Sequence, residues 1–449
     1  MTTALAVVAA LGLGFVTARL GSDDIRLAVL ICLLPLVPLV LLRSRTAAVA
    51  AVGCLPFELN VVGGAVGGLN VSASDLLLAA ATAGLVLALS QDRDLRQRLR
   101  VLAPLRPLFV LYLAAMLVVS AVHPGVASLV NAVQRVEIVV VPVVLATLVL
   151  TERAARRGLA LFTVAALVLG VRWLLPHGAA DQLLGVQKNP AGQYLADAAL
   201  LSLSVFAHRR VRFLLFPLLV VCTYATQSRG ALVGLLAGLV ALALVRARDP
   251  LQFVLRVLPV VLVVGAVYAV LPAEEQARIR GNTVAVEYSD RVRQQFAEDA
   301  RAIIRAHPVL GIGIGNYLAG DASDLSLTDD PHDILLLEAA EGGGVLLAAF
   351  LVLQVGALVL VVRRRHRTPW AAAAAAVQVS ILTHSLLDVY WVRGTPVLGW
   401  LLVGMTVSAA SLAVTSEPDD DVAPAAPVAV EPAPPVPGRH RLTPTGPVR

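Results

Sequence analysis

The sequence predicts an all-α polytopic membrane protein of about 12–14 transmembrane helices, with one large extracytoplasmic loop that contains short helices. Three observations lead there. Of the 449 residues, 58% are hydrophobic and only 15% charged, and mean hydropathy is +0.81, a balance that leaves too little polar surface to wrap a water-soluble core. Apolar runs of near-membrane length recur along the chain. Between them, arginine clusters recur at intervals that put every cluster on the same side.

In chain order the candidate spans are 2–18, 25–42, 46–57, 73–90, 105–122, 135–151, 158–175, 190–207, 213–226, 229–245, 252–271, 334–362, 369–387 and 395–413. The run at 46–57 is short for a crossing. The opening stretch lacks a basic leader and a small-residue cleavage site, so it is read as the first span rather than a signal peptide. The basic clusters are RSR (43–45), DRDLRQRLR (92–100), ERAARR (152–157), HRRVR (208–212), RAR (246–248) and RRRHR (363–367), and the positive-inside bias makes their side cytoplasmic. Net charge is +6, yet the cations sit in short connections between apolar runs, which excludes a nucleic-acid-binding reading. Cys32, Cys54 and Cys222 lie inside apolar runs without metal or pairing spacing, and are read as small core residues.

The expected organisation is N-terminal transmembrane helices (1–271), an extracytoplasmic loop (272–331), C-terminal transmembrane helices (332–414) and a Pro-rich disordered cytoplasmic tail (415–449). A loop that long is usually functional or disordered. Part of this one is patterned: Val292, Phe296, Ala300 and Ile303 recur at helical spacing, with Asp290 as the expected N-cap. The following GIGIG (311–315) lacks both the spacing and the strand–helix context of a phosphate loop.

On the side away from the basic clusters stand Arg135, Lys188, Asn189, Arg229, Arg291, His332, Asp388 and Arg393. Ionisable groups near the bilayer interior are expensive and tend to line functional cavities. Arg229 sits at a tight corner between two spans, with Gly230 and Gly234 allowing close helix approach and Ser228 placed to cap the second helix. Asn189 is the expected N-cap of a helix with Pro190 in its first turn, while Lys188 has no such structural account. His332 opens the membrane-length run, and an imidazole at a water-accessible helix mouth beside cations can act as a general base.

The stretch SDRVRQQFAEDARAIIRAHPVLGIGIGNY, followed by PHDILLLEAAEGG, resembles the O-antigen ligase and O-antigen polymerase-like family; TQSRGALVGLLAGL, QKNPAGQYLA and THSLLDVYW resemble its neighbouring helices. Two positions depart from the family pattern: Asp333 stands where Asn, Ser or Gln is usual, and Leu346 where a second glycine often follows. The resemblance implies a glycosyltransferase of the bacterial cytoplasmic (inner) membrane with its active site on the extracytoplasmic face. It implies transfer or polymerisation of a glycan from an undecaprenyl-diphosphate-linked donor to a polysaccharide, lipid or protein acceptor, without metal, nucleotide or other cofactor. By matched position it implies His332 as the catalytic residue and Arg229, Arg291, Lys188 and Arg135 as ligands of the lipid diphosphate, with Asn189, Glu341 and Asp388 supporting. The chemistry agrees: arginine forks suit diphosphate oxygens, and the lipid diphosphate bond already holds the energy for transfer. The alternatives are a secondary transporter or flippase of a lipid-linked or anionic solute, and a metal-dependent transferase built on Asp329, Asp330 and His332.

Overall fold

The computed structural model describes residues 44–57, 60–62, 71–174, 186–206, 209–255, 257–258, 284–317, 331–388 and 394–415. The expected spans 2–18 and 25–42, most of 252–271, Asp329, Asp330, Arg393, Cys32 and the Pro-rich tail lie outside these residues.

The described chain is helical: α1 (Ser44–Cys54), α2 (Ala73–Gln91), α3 (Arg93–Arg98), α4 (Arg106–Val122), α5 (Val126–Leu148), α6 (Glu152–Leu174), α7 (Lys188–Ser204), α8 (Arg209–Ala225), α9 (Arg229–Arg246), α10 (Val284–Ala306), α11 (Ile334–Arg363), α12 (Trp370–Ser385) and α13 (Thr395–Thr415). A short antiparallel ribbon, β1 (Asn60–Val62) with β2 (Val71–Ser72), is an addition that the apolar-run reading did not foresee. Among the described residues five helices, in α2, α5, α6, α9 and α11, are long and apolar enough to cross a membrane. The fold is thus that of an all-α polytopic membrane protein. Leu117, Leu129, Val164, Phe213 and Leu214 are exposed on the helices, a surface suited to acyl chains. The expected short helix at 46–57 is α1, eleven residues long.

Local signals explain where several helices begin. Ser72 and Asp75 form a reciprocal capping box at α2: Asp75 N donates to Ser72 Oγ at 3.3 Å, and Ser72 N donates to Asp75 Oδ2 at 2.7 Å. Ser228 caps α9 by accepting from Ala231 N at 3.3 Å. Three expectations are corrected. α5 begins at Val126, not near Arg135, because Ser128, Asn131 and Gln134 are carried inside a helix rather than in a connection. α10 begins at Val284, so Asp290 lies within the helix and Arg291 is not in its first turn. The N-cap of α7 is Gln187, which leaves the Asn189 side chain free of capping duty.

Arginines from four of the basic clusters gather at one end of the bundle. Arg156 Nη1 donates to Val205 O at 2.8 Å, Arg212 Nε donates to Phe206 O, and Arg246 reaches Leu203 O at 3.3 Å. Cations from α6, α8 and α9 thereby converge on the carbonyl end of α7, where the helix dipole favours them. Arg156 also lies 5.3 Å above the Trp370 ring, and Arg45 Nε donates to Val149 O at 3.1 Å. The opposite end of α7 carries Asn189, and there the candidate site is built.

Candidate active site

Four elements meet at this end. α7 supplies Asn189, the segment just past the end of α12 supplies Asp388, the entry to α11 supplies His332, and α10 supplies Arg293 and Phe296. Asp388 joins them. Its Oδ1 is 2.9 Å from His332 Nδ1, its Oδ2 accepts from Asn189 Nδ2, and Arg293 Nη2 stands 3.6 Å from Oδ2. Phe296 stacks on the imidazole with ring centroids 6.4 Å apart and planes 21° apart. The Asp388 side chain is 10% exposed and that of His332 19%, so the carboxylate is covered while the imidazole keeps an open edge. His332 also has φ of +52°, a left-handed conformation that costs a non-glycine residue roughly 1–2 kcal/mol. Strain of this kind persists where surrounding contacts impose it, and it is frequent at working sites.

The sequence-derived candidates divide into three groups. His332, Asn189 and Asp388 are brought together. Lys188 is exposed at the first residue of α7, and Arg229 is half-buried at the first residue of α9. Arg291 is exposed on α10, whereas Arg293, two positions on, is the arginine that turns to Asp388. Arg293 went unselected in the sequence, although it had a signal. It precedes Phe296 by three residues and therefore shares the face of the apolar stripe.

Arg135 and Glu341 belong to a second cluster. Arg135 Nη1 lies 2.9 Å from the Glu338 carboxylate and Nη2 2.5 Å from Glu341 Oε2, while Tyr112 Oη donates to Glu338 at 3.4 Å. Both carboxylates are buried. The Arg135 guanidinium is thus committed to α11, which departs from the expected place on a diphosphate. Removing one member of such a buried set leaves an uncompensated charge, at a cost of about 3–5 kcal/mol.

Glu341 Oε1 also accepts from Gly315 N at 2.8 Å, tying the GIGIG segment to the same cluster. Ile312 N and Gly313 N donate to the carbonyls of Ala340 and Glu341 at 3.0 and 2.8 Å, and Gly344 N donates back to Pro308 O at 2.8 Å. These bonds are open because α11 breaks its helical course at Gly343 (φ 60°, ψ −161°). The glycines of 311–315 and 342–344 therefore serve backbone-to-backbone docking, which holds the chain leaving α10 against α11 just beyond the His332 cluster.

Residues 214–351 match the family model described as O-antigen ligase. The chain is O-antigen ligase-like over this stretch. No curated protein matches the chain. The ligase-like region holds Arg229, Arg291, Arg293, His332, Glu338, Glu341 and the docked glycine segment, and it supports glycan transfer of the O-antigen ligase type by a membrane glycosyltransferase. Lys188, Asn189 and Asp388 lie outside the matched residues.

Within the ligase-like region Asp333 has a structural part. Its Oδ1 accepts from Leu335 N at 2.8 Å and from Leu336 N at 3.3 Å, capping α11 immediately after His332. Burial raises its carboxyl pKa, while those two amides and the nearby Arg301 charge pull the other way. Asn caps helices as well as Asp does. Asp333→Asn is therefore expected to leave thermal stability in detergent unchanged, and Asp333→Ala to lower it by about 1 kcal/mol.

Proposed function

We propose that the protein transfers a saccharide from an undecaprenyl-diphosphate-linked donor to an acceptor hydroxyl on the extracytoplasmic face, with His332 as general base. The observation that carries this reading is the Asp388 carboxylate 2.9 Å from His332 Nδ1 at the mouth of α11. A carboxylate on Nδ1 holds the proton there and leaves the Nε2 lone pair to take one from the acceptor. As the acceptor oxygen bonds to the anomeric carbon, its proton passes to Nε2. The bond from that carbon to the phosphate oxygen breaks, and the electron pair leaves with the lipid diphosphate. A single displacement of this kind inverts the anomeric centre.

The leaving diphosphate gains charge as the bond breaks, and fixed cations near it lower the barrier. Arg229 and Lys188 are the residues assigned to it, and on α10 Arg293, which faces Asp388, takes the place first expected of Arg291. Asn189 and Asp388 hold the imidazole in place. Arg135 and Glu341 support the site from behind by fixing the docked loop.

The test is incubation of purified protein with a labelled undecaprenyl-diphosphate oligosaccharide and candidate acceptors. His332→Ala is expected to lose about 10²–10⁴ in rate, the usual worth of a positioned base. Growth of chain length would identify polymerisation, and one transfer per acceptor would identify ligation. Undiminished product from His332→Ala would remove the imidazole from the mechanism, and donor movement across vesicles without any product would favour a flippase.

A further inference from the structure

Two polar stripes lead from the candidate site into the bundle. Asn189, Gln193 and Asp197 recur every fourth residue on α7; Ser380, His384 and Asp388 do the same on α12 and just beyond it. Residues four apart share a helix face, and these two faces meet. At the mouth Asn189 donates to Asp388. One turn deeper, His384 Nδ1 lies 2.6 Å from Gln193 Oε1. Gln193 Nε2 in turn donates to Asp197 Oδ1 at 2.8 Å and to Ser380 Oγ at 3.1 Å. Gln193, Asp197, Ser380 and His384 are each 0% exposed.

Burying four polar side chains between two helices is unfavourable unless their hydrogen bonds are met, and an apolar seam would hold the helices without that demand. What the polar seam adds is direction. Both amide hydrogens of Gln193 are taken by Asp197 and Ser380, so its Oε1 is the acceptor and His384 carries its proton on Nδ1. The ring cannot swing away, because α9 closes over it: a Cβ at Gly230 would stand 2.4 Å from His384 Cδ2. The backbone of the same residue holds the turn that follows, as Leu387 N donates to His384 O at 2.8 Å. Asp388 comes next, three residues past the end of α12, where helical hydrogen bonding no longer fixes it.

We infer that Gln193 and His384 are positioning residues that clamp the end of α12, set the place of Asp388, and through it orient His332. The inference rests on the proposed part of His332 for its effect on turnover, but not for its effect on the shape of the site. The test therefore uses two readouts on the full chain in detergent or nanodiscs: steady-state transfer from the labelled lipid-linked donor, and the rate at which diethyl pyrocarbonate modifies His332, followed by mass spectrometry.

His384→Leu is expected to lower kcat about a hundredfold, the scale of an ångström-sized misplacement, with the donor KM changed less than about twofold. It should also move the labelling rate of His332 in the same direction as Asp388→Asn does. His384→Asn, whose amide replaces the Nδ1 donor, should recover most of both. Wild-type turnover and labelling in His384→Leu would overturn the inference, as would His384→Asn behaving no better than leucine, since only bulk packing would then matter. If His384→Leu does not yield folded protein, Gln193→Asn, which shortens the clamp by one methylene, carries the same two expectations. If labelling shifts as expected while His332→Ala retains turnover, the clamp stands and the base assignment falls.

Discussion

Asp388→Ala is expected to abolish glycan transfer nearly as completely as His332→Ala, by about 10²–10⁴ in rate, because both remove the same proton transfer. Among the described residues the carboxylate meets His332 on the approach to α11, Asn189 on α7 and Arg293 on α10. Without it the imidazole loses the acceptor that fixes its tautomer, and the left-handed backbone of His332 loses a contact that holds it. The two substitutions should also be strongly non-additive, since residues acting as a unit each forfeit most of the same advantage. The double variant is thus expected within about threefold of the weaker single. Asp388→Asn should fall between, as its amide oxygen can still accept from Nδ1–H but offers no charge to the imidazolium or to Arg293. Initial rates with saturating labelled donor measure all four. Full turnover in Asp388→Ala would separate the carboxylate from the reaction and leave it a tether for α10.

Most helices were legible because their apolar runs are long and their ends carry charge: α9 lies within a residue of its expected limits, and so does α11. α5 was misjudged at its start, since polar residues spread through the first two turns look like a connection when no neighbour is known. His332, Asn189 and Asp388 could each be singled out for their chemistry. Their meeting could not, because Asn189 and Asp388 are 199 residues apart and contact depends on the rotation of two helices. The choice between Arg291 and Arg293 shows the same limit. Two residues on, a helix has turned by roughly 200°, so one of the pair must face away. The apolar stripe through Phe296 fixed the phase of α10, and only its stacking on His332 shows which arginine that phase delivers. Arg135 looked like a free cation at a span end because Glu338 and Glu341, which engage it, lie more than 200 residues later.

A large effect on stability is expected at Gly343. Its φ of +60° is a conformation that side chains resist, and a Cβ there would lie 2.2 Å from the Val309 carbonyl carbon, a backbone atom that cannot step aside. Gly344 is a built-in control, as its Cβ would stand 3.4 Å from Pro308 O, at the edge of ordinary contact. Gly343→Ala is expected to be less stable than Gly344→Ala by at least about 3 kcal/mol, read as thermal unfolding in detergent. The reason is cumulative. Straightening α11 at this point withdraws the carbonyls of Ala340 and Glu341 from Ile312 and Gly313, and shifts the Glu341 carboxylate that serves both Gly315 and Arg135. The docked segment follows directly from α10, which carries Arg293 and Phe296 to the site. Gly343→Ala should therefore also depress transfer, without touching any group that meets the substrate. Equal stability of the two alanine variants would mean that the 308–317 segment does not rest on the α11 break, and α10 would then need another support to hold Arg293 against Asp388.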